Sequence, residues 1–215
     1  MMIFKHSCKK KVSVLTVLFI LVTLSGCATL GKEECINADW YTIGYEDGAK
    51  GYLTSRIGSH RKDCAKYGIT PDFRSYEQGR LEGLEEYCTP RNGYLLGSSG
   101  KPYNDVCPPG FESIFSEGYQ HGRIVYEARM EMNRHKEDLR RLQNKLSDTN
   151  KELKDHESEL IHEDMSSRRR KKLLDEIKIL TEQRIDLQNQ IARQEILVET
   201  AVAKFEEISV TNPYQ

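Results

Sequence analysis

The apolar positions change their spacing several times along this chain. Val12 to Leu24 is a stretch of mostly apolar residues without a charge, preceded by Lys5, His6, Lys9, Lys10 and Lys11. From Cys35 to Arg123 apolar residues are dispersed among glycines and tyrosines. From Val125 a seven-residue spacing sets in, through Met132, Leu139, Leu146, Leu153 and Leu160. Ala128, His135, Leu142, Thr149 and His156 occupy the companion positions. After Lys172 the seam returns in another phase. Leu173, Ile177, Leu180, Arg184, Leu187, Ile191, Gln194, Val198, Ala201 and Phe205 alternate by four and three. Charged residues cover the other faces, which is the pattern of a coiled-coil seam. Phe111 to Ile161 holds no proline, and no glycine after Gly122. One helix is therefore predicted to leave the first region and continue into the second.

Two architectures fit the change of phase. One is an antiparallel hairpin with its tip near residues 163–168. The other is a continuous helix with a phase slip that pairs with a second chain. The near-equal arms, 123–161 and 168–208, favour the hairpin, with arms of about 60 Å. Ser166 or Ser167 is placed to cap the second arm. Glu163 and Asp164 at the end of one helix oppose its dipole, as do Arg168 to Lys172 at the start of the next. Each exposed charge costs about 0.3–1 kcal/mol, which pairing of acids with bases across the tip would offset.

The glycine-rich region contains a repeat. Tyr41-x-x-Gly44-x-x-x-Gly48 returns as Tyr76-x-x-Gly79-x-x-x-Gly83 and as Phe115-x-x-Gly118-x-x-x-Gly122. Glycines four apart share one helix face, and each costs about 1 kcal/mol against alanine inside a helix. Such a cost needs a packing reason, and the expectation is three short helices crossing through their glycine faces. Thr70-Pro71-Asp72 predicts a helix start, with an end near Tyr87 or Cys88. Ser59 to Tyr67 predicts another helix, stopped by Gly68. Pro108-Pro109-Gly110 precedes a helix that starts near Phe111. Between Cys88 and Cys107, Asn92-Gly93-Tyr94, Gly97, Gly100 and Pro102 predict a turn-rich loop.

Composition sharpens this picture. Of 215 residues, 38% are hydrophobic and 30% charged, too polar for one core and in keeping with a solvated arm. Lys+Arg number 32 against 33 Asp+Glu, for a net charge of −1, which excludes the basic footprint of a nucleic-acid binder. The opening residues have the parts of an export signal, and Val12 to Leu24 is too short to span a bilayer. Leu24-Ser25-Gly26-Cys27 reads as a lipobox, with Cys27 lipidated after cleavage. Residues 1–26 are then the signal, 27–34 a tether, 35–123 the glycine- and tyrosine-rich domain, 124–208 the coiled coil and 209–215 a disordered tail. Ala28, a residue other than Asp, follows the cysteine; resemblance to bacterial lipoprotein sorting then implies the outer membrane, periplasmic face, if the cell is Gram-negative. Cys8 leaves with the signal, so Cys35, Cys64, Cys88 and Cys107 remain for two disulfides. Three pairings are open. Cys35–Cys64 with Cys88–Cys107 closes the shortest loops, each worth about 3–4 kcal/mol.

Signs of catalytic chemistry are few. The glycine spacings fit neither a P-loop nor a Rossmann motif, and there is no Gly-x-Ser-x-Gly elbow or His-Glu-x-x-His. Glu46-Asp47 and Glu85-Glu86 are adjacent and do not converge on a helix. His60-x-x-x-Cys64 alone is too little for a metal. His60 with Asp63 or Asp47 forms at most one acid–base pair. The chain is read as non-enzymatic, without catalytic residues, metal or cofactor. A ligand or partner surface is expected at Trp40, Tyr45, Tyr94, Tyr103 and His60 if these are exposed; buried, the tyrosines cover the glycines. Arg168, Arg169 and Arg170 form a basic cluster at the tip, a contact for an anionic surface or a solvated turn.

Several residues carry a family resemblance. They are Asp39-Trp40-Tyr41, Gly44-Tyr45-x-Asp47-Gly48, His60, Cys64, Pro71-Asp72, Tyr76-x-x-Gly79-Arg80, Gly83-Leu84 and Tyr87-Cys88. The set continues through Asn92-Gly93-Tyr94, Gly97, Gly100, Tyr103, Cys107-Pro108 and Tyr119-x-x-Gly122-Arg123. The chain resembles proteobacterial cell-envelope lipoproteins defined by a domain of unknown function. That resemblance implies a location and an architecture, but no activity. The expected fold is all-α: a small disulfide-stapled helical domain with Gly-x-x-x-Gly helices, continuing into a long coiled-coil hairpin. The expected role is a lipid-anchored structural or interaction protein, held to the membrane by its lipid and bound to an envelope protein, without nucleic acid. The alternative is a module that binds peptidoglycan or another envelope glycan through the tyrosines and the Cys88–Cys107 loop.

Overall fold

A computed structural model describes residues 30–214. The signal segment and Cys27 lie outside the described residues. Among the described residues the chain is all-α, with seven α-helices, one 3-10 turn at Thr54–Arg56 and no strand. The helices are α1 Lys32–Ile36, α2 Trp40–Ala49, α3 Ile57–Ala65, α4 Phe73–Tyr87, α5 Pro90–Ser98, α6 Pro109–Leu160 and α7 Ser167–Val210. They form two compact units, one ending at Gly83 and the other beginning at Leu84.

In the first unit, side-chain caps set the helix starts. Asp39 accepts the Tyr41 and Thr42 N–H groups at the head of α2. Asp72 accepts those of Arg74 and Ser75 at 2.9 and 3.2 Å. Helix α4 thus starts after Asp72; Thr70 is not its cap and Pro71 is not in its first turn, because the carboxylate further along supplies the acceptor. α3 begins two residues before the predicted Ser59 and ends at Ala65, ahead of Gly68 at φ +72°. Cys35, Trp40, Cys64 and Tyr76 form the core, with Ile43, Ile57 and Ile69 packed against it. The Cys35–Cys64 disulfide ties α1 to α3.

The second unit has its own bridge, Cys88–Cys107, beside Leu84, Val106 and Phe115. The segment between those cysteines departs from the expected loop, since residues 90–98 are helical. Thr89 Oγ1 accepts the Asn92 N–H at 3.2 Å, and Pro90 occupies the first turn, where its missing N–H costs nothing. Gly93 and Gly97, read as turn residues, are packing residues.

The glycines work in two parallel helix pairs, α2 with α4 and α5 with α6. A Cβ on Gly44 would lie 2.0 Å from the Tyr76 carbonyl oxygen, and one on Gly79 would lie 2.0 Å from that of Tyr41. In the second pair the same contacts run from Gly93 to Phe115 at 2.2 Å and from Gly118 to Pro90 at 1.9 Å. Gly97 and Gly122 meet Tyr119 and Tyr94 in turn, as Gly83 meets Tyr45. Each backbone-to-backbone approach turns a glycine Cα–H towards a carbonyl, a weak bond worth about 0.5–1 kcal/mol. The predicted three-helix crossing is thus four helices in two pairs. The fourth motif, Pro90-x-x-Gly93-x-x-x-Gly97, carries proline where the others carry an aromatic.

The likeness of the two pairs extends beyond the crossing. α2 ends with Gly51 at φ +71°, its N–H bonded to Gly48 O and that of Tyr52 to Asp47 O. α5 ends the same way, with Gly100 at φ +74°, bonded to Gly97 O, and Lys101 bonded to Leu96 O. The Tyr52 carbonyl is held by Arg80 Nε at 3.0 Å, and the Lys101 carbonyl by Tyr119 Oη at 3.1 Å. Arg80 and Tyr119 each follow the second aromatic of the motif by four residues. The chain therefore contains one glycine-faced helix pair twice over, and each unit carries one disulfide.

α6 runs unbroken for 52 residues, about 78 Å, and α7 for 44, about 66 Å. They form the hairpin. Lys204 Nζ reaches Glu131 at 2.7 Å, and Gln194 Nε2 donates to the His135 carbonyl at 3.1 Å. Ser166 caps α7 by accepting the Arg169 N–H. The unfavourable dipole charges are met by Glu159, one turn before the predicted Glu163 and Asp164. It takes both Nε and Nη2 of Arg169 at 2.8 Å. Arg170 donates to the terminal Leu160 carbonyl at 3.1 Å. Along α7 the predicted seam positions are all buried or half-buried, with Leu173, Leu180 and Ala201 fully so.

Candidate functional site

The glycine crossing leaves room for a polar group where helix pairs normally bury apolar ones. α2 turns Gly44, Asp47 and Gly48 inward. Tyr76 of α4 reaches across and donates its hydroxyl to Asp47 Oδ2 at 2.8 Å. His60 Nε2 of α3 meets the same oxygen at 2.8 Å. All three side chains are buried, with 6% of Asp47, 6% of His60 and none of Tyr76 exposed. Of the two carboxylates open to His60, Asp47 is the partner; Asp63 lies 3.8 Å from Lys66.

Burial alone would raise the Asp47 carboxyl. The His60 and Tyr76 hydrogen bonds, with the charges of His60 and Arg56, outweigh it and hold the carboxyl below its usual value. Burial, then the bond to Asp47, drives the Tyr76 phenol well above the ordinary tyrosine range, so it remains a protonated donor. Because the folded Asp47 value is lowered, its contribution to stability is present above the unfolded carboxylate value and lost as pH falls through the folded one. Urea midpoints measured from about pH 6 down to 3 are expected to fall less steeply in Asp47→Asn than in the parent.

The second helix pair is an internal control. At the positions of Asp47 and Tyr76 it carries Leu96 and Phe115. The same crossing thus forms around an apolar contact, and the Asp47–His60–Tyr76 network is not a requirement of the scaffold. A buried polar set that the architecture does not need is a functional-site signal. Beside it lies a cleft of about 290 Å³ that Asp47 and His60 line with Tyr52 and Arg56. Cys64 is committed to its bridge, so the nearest sulfur in sequence offers no nucleophile to His60. The arrangement suits binding: a fixed carboxylate, an oriented imidazole and a phenol that donates.

The other expected surface residues are distributed differently. Trp40 and Tyr94 are buried, at 9% and 8% exposure, and cover their cores. Tyr45 and Tyr103 are half-buried, Tyr103 lying 4.7 Å from the Phe115 ring and donating to Glu112 at 2.6 Å. Within each unit these rings are turned at least partly inward, as expected of tyrosines that cover the glycines. At the tip, Arg168, Arg169 and Arg170 are exposed, but two of the three hold the two arms together. Sequence reasoning missed Arg56, and it took Tyr76 and Arg80 only as repeat and resemblance residues, without a role in a site. The signal available was the departure of Leu96 and Phe115 from Asp47 and Tyr76, hidden until the proline-led fourth motif is aligned.

Residues 39–124 match the model of a family described as a protein of unknown function (DUF2799). The match takes in both glycine-faced helix pairs and ends within α6. Comparison with curated proteins and with solved structures finds no match.

Proposed function

We propose that this is a lipid-anchored protein of the outer membrane, facing the periplasm, with a structural or protein-docking role and no catalytic activity. The observation that carries the docking part is the continuity of α6. One helix forms half of a stapled, glycine-packed pair and then, without a break, half of the hairpin. A load or a contact on the arm is transmitted to the pair through helical backbone, without a flexible linker. The anchor rests on Leu24-Ser25-Gly26-Cys27 and the preceding apolar stretch. The disulfides agree with an oxidising compartment.

The test shortens the arms together, deleting Asn144 to Gln188 and closing the gap with a glycine-rich turn. In-cell crosslinking to an envelope protein is expected to be lost, while non-reducing gels still show both bridges. Crosslinking that survives the deletion removes the docking role. Cys27→Ala is expected to move the protein from the membrane to the soluble fraction, and a variant that stays in the membrane fraction removes the anchor without touching the docking result.

A further inference from the structure

We propose that the cleft beside Asp47, His60 and Tyr76 binds a ligand bearing a carboxylate or phosphate group, with Arg56 as its receptor. The proposal is independent of the docking role of the hairpin. It rests on where the charges of the cleft are already spent. Glu34 Oε2 accepts the Gly31 N–H at 2.6 Å. Glu46 pairs with Lys50 at 3.4 Å. Asp47 takes both His60 and Tyr76 on one oxygen. Arg56 is the cation of the cleft without a bonded partner, although its charge acts on Asp47 nearby. Among the described residues it makes no ion pair, and its Nε is buried without a hydrogen-bond partner. Leaving such a donor unpaired in a protein interior costs about 1–3 kcal/mol or more for a charged group. An acceptor that enters the cleft would satisfy this donor.

The surroundings hold Arg56 ready. Its guanidinium lies over the Tyr52 ring, 5.3 Å from the centroid. Tyr52 is itself pinned, with its N–H on Asp47 O and its carbonyl on Arg80. The planar fork of a guanidinium matches the paired oxygens of a carboxylate or phosphate. The cleft volume of about 290 Å³ lies near the lower end of ligand pockets, which suits one end group of a ligand. At the position of Tyr52 the second helix pair has Lys101, and its Leu96 and Phe115 leave no polar network. The proposed site therefore belongs to the first unit alone.

The experiment follows the Arg56 Nε–Hε resonance in the full mature chain with ¹⁵N-labelled arginine. Inorganic phosphate and N-acetylalanine are titrated separately at constant ionic strength set with chloride. A saturable shift at Arg56, absent at Arg168, is the expected result. Saturation by phosphate alone identifies a phosphate ligand, and by N-acetylalanine alone a carboxylate terminus. Arg56→Gln, checked for folding by circular dichroism, is expected to weaken binding at least about tenfold, measured through the His60 ring resonances. A drift that never saturates, or one shared equally with Arg168, overturns the proposal in the parent protein, whatever the variant does.

Discussion

Gly118→Ala is expected to destabilise the protein by about 3 kcal/mol or more, although alanine is the better helix former by about 1 kcal/mol. The added Cβ would sit 1.9 Å from the Pro90 carbonyl oxygen, which belongs to the backbone of α5 and cannot rotate away. The two helices must separate, and each of the neighbouring glycine contacts lengthens with them. Gly44→Ala, with its Cβ 2.0 Å from the Tyr76 oxygen, is expected to lose a similar amount, because the two pairs share one geometry. Gly58→Ala is the control. Nothing lies within 4 Å of its Cβ, so the propensity gain stands alone and stability is expected to hold or rise slightly. Urea midpoints compared across the three variants decide the matter. Equal small effects at all three positions would remove the glycine crossing as the basis of the fold.

Asp47→Leu is expected to cost about 3 kcal/mol, because it strands His60 and the Tyr76 hydroxyl in the interior. Copying the whole apolar solution of the second pair should reverse most of that loss. The triple variant Asp47→Leu, His60→Leu, Tyr76→Phe gives Asp47 and Tyr76 the residues that stand at their positions in the other pair, Leu96 and Phe115, and removes the imidazole that would otherwise lose its acceptor. Denaturant unfolding of the single and triple variants is the measurement. Recovery in the triple variant separates the network from the needs of the scaffold; a triple variant weaker than the single one makes the network structural.

The hairpin was legible because its signal is one-dimensional. Leu173, Leu180 and Ala201 fall on one face by spacing alone, and that face is the one buried. The tip was legible only in outline. That basic residues would meet acids there followed from the dipole argument, but the choice of Glu159 over Glu163 and Asp164 depends on where the last turn of α6 ends. α5 was misread because Asn92-Gly93 has turn chemistry locally. The packing of Gly93 and Gly97 against α6 overrides it, and no local rule contains that contact.

The candidate site was legible in fragments. His60 with Asp47 was one of two pairings, and nothing in spacing chooses between acids that lie 13 residues before it and three after it. Tyr76 arrives from 29 residues beyond Asp47. By itself the sequence determined the helical class, the two seams, the parity of the cysteines and the presence of glycine faces. Periodicity, parity and residue size are properties of a segment taken alone. Tertiary structure decided which glycine face meets which, that there are two such pairs, and which buried polar groups find partners. Those outcomes depend on distances between residues far apart in the chain. It is at this level that Arg56 is left with a donor to spare.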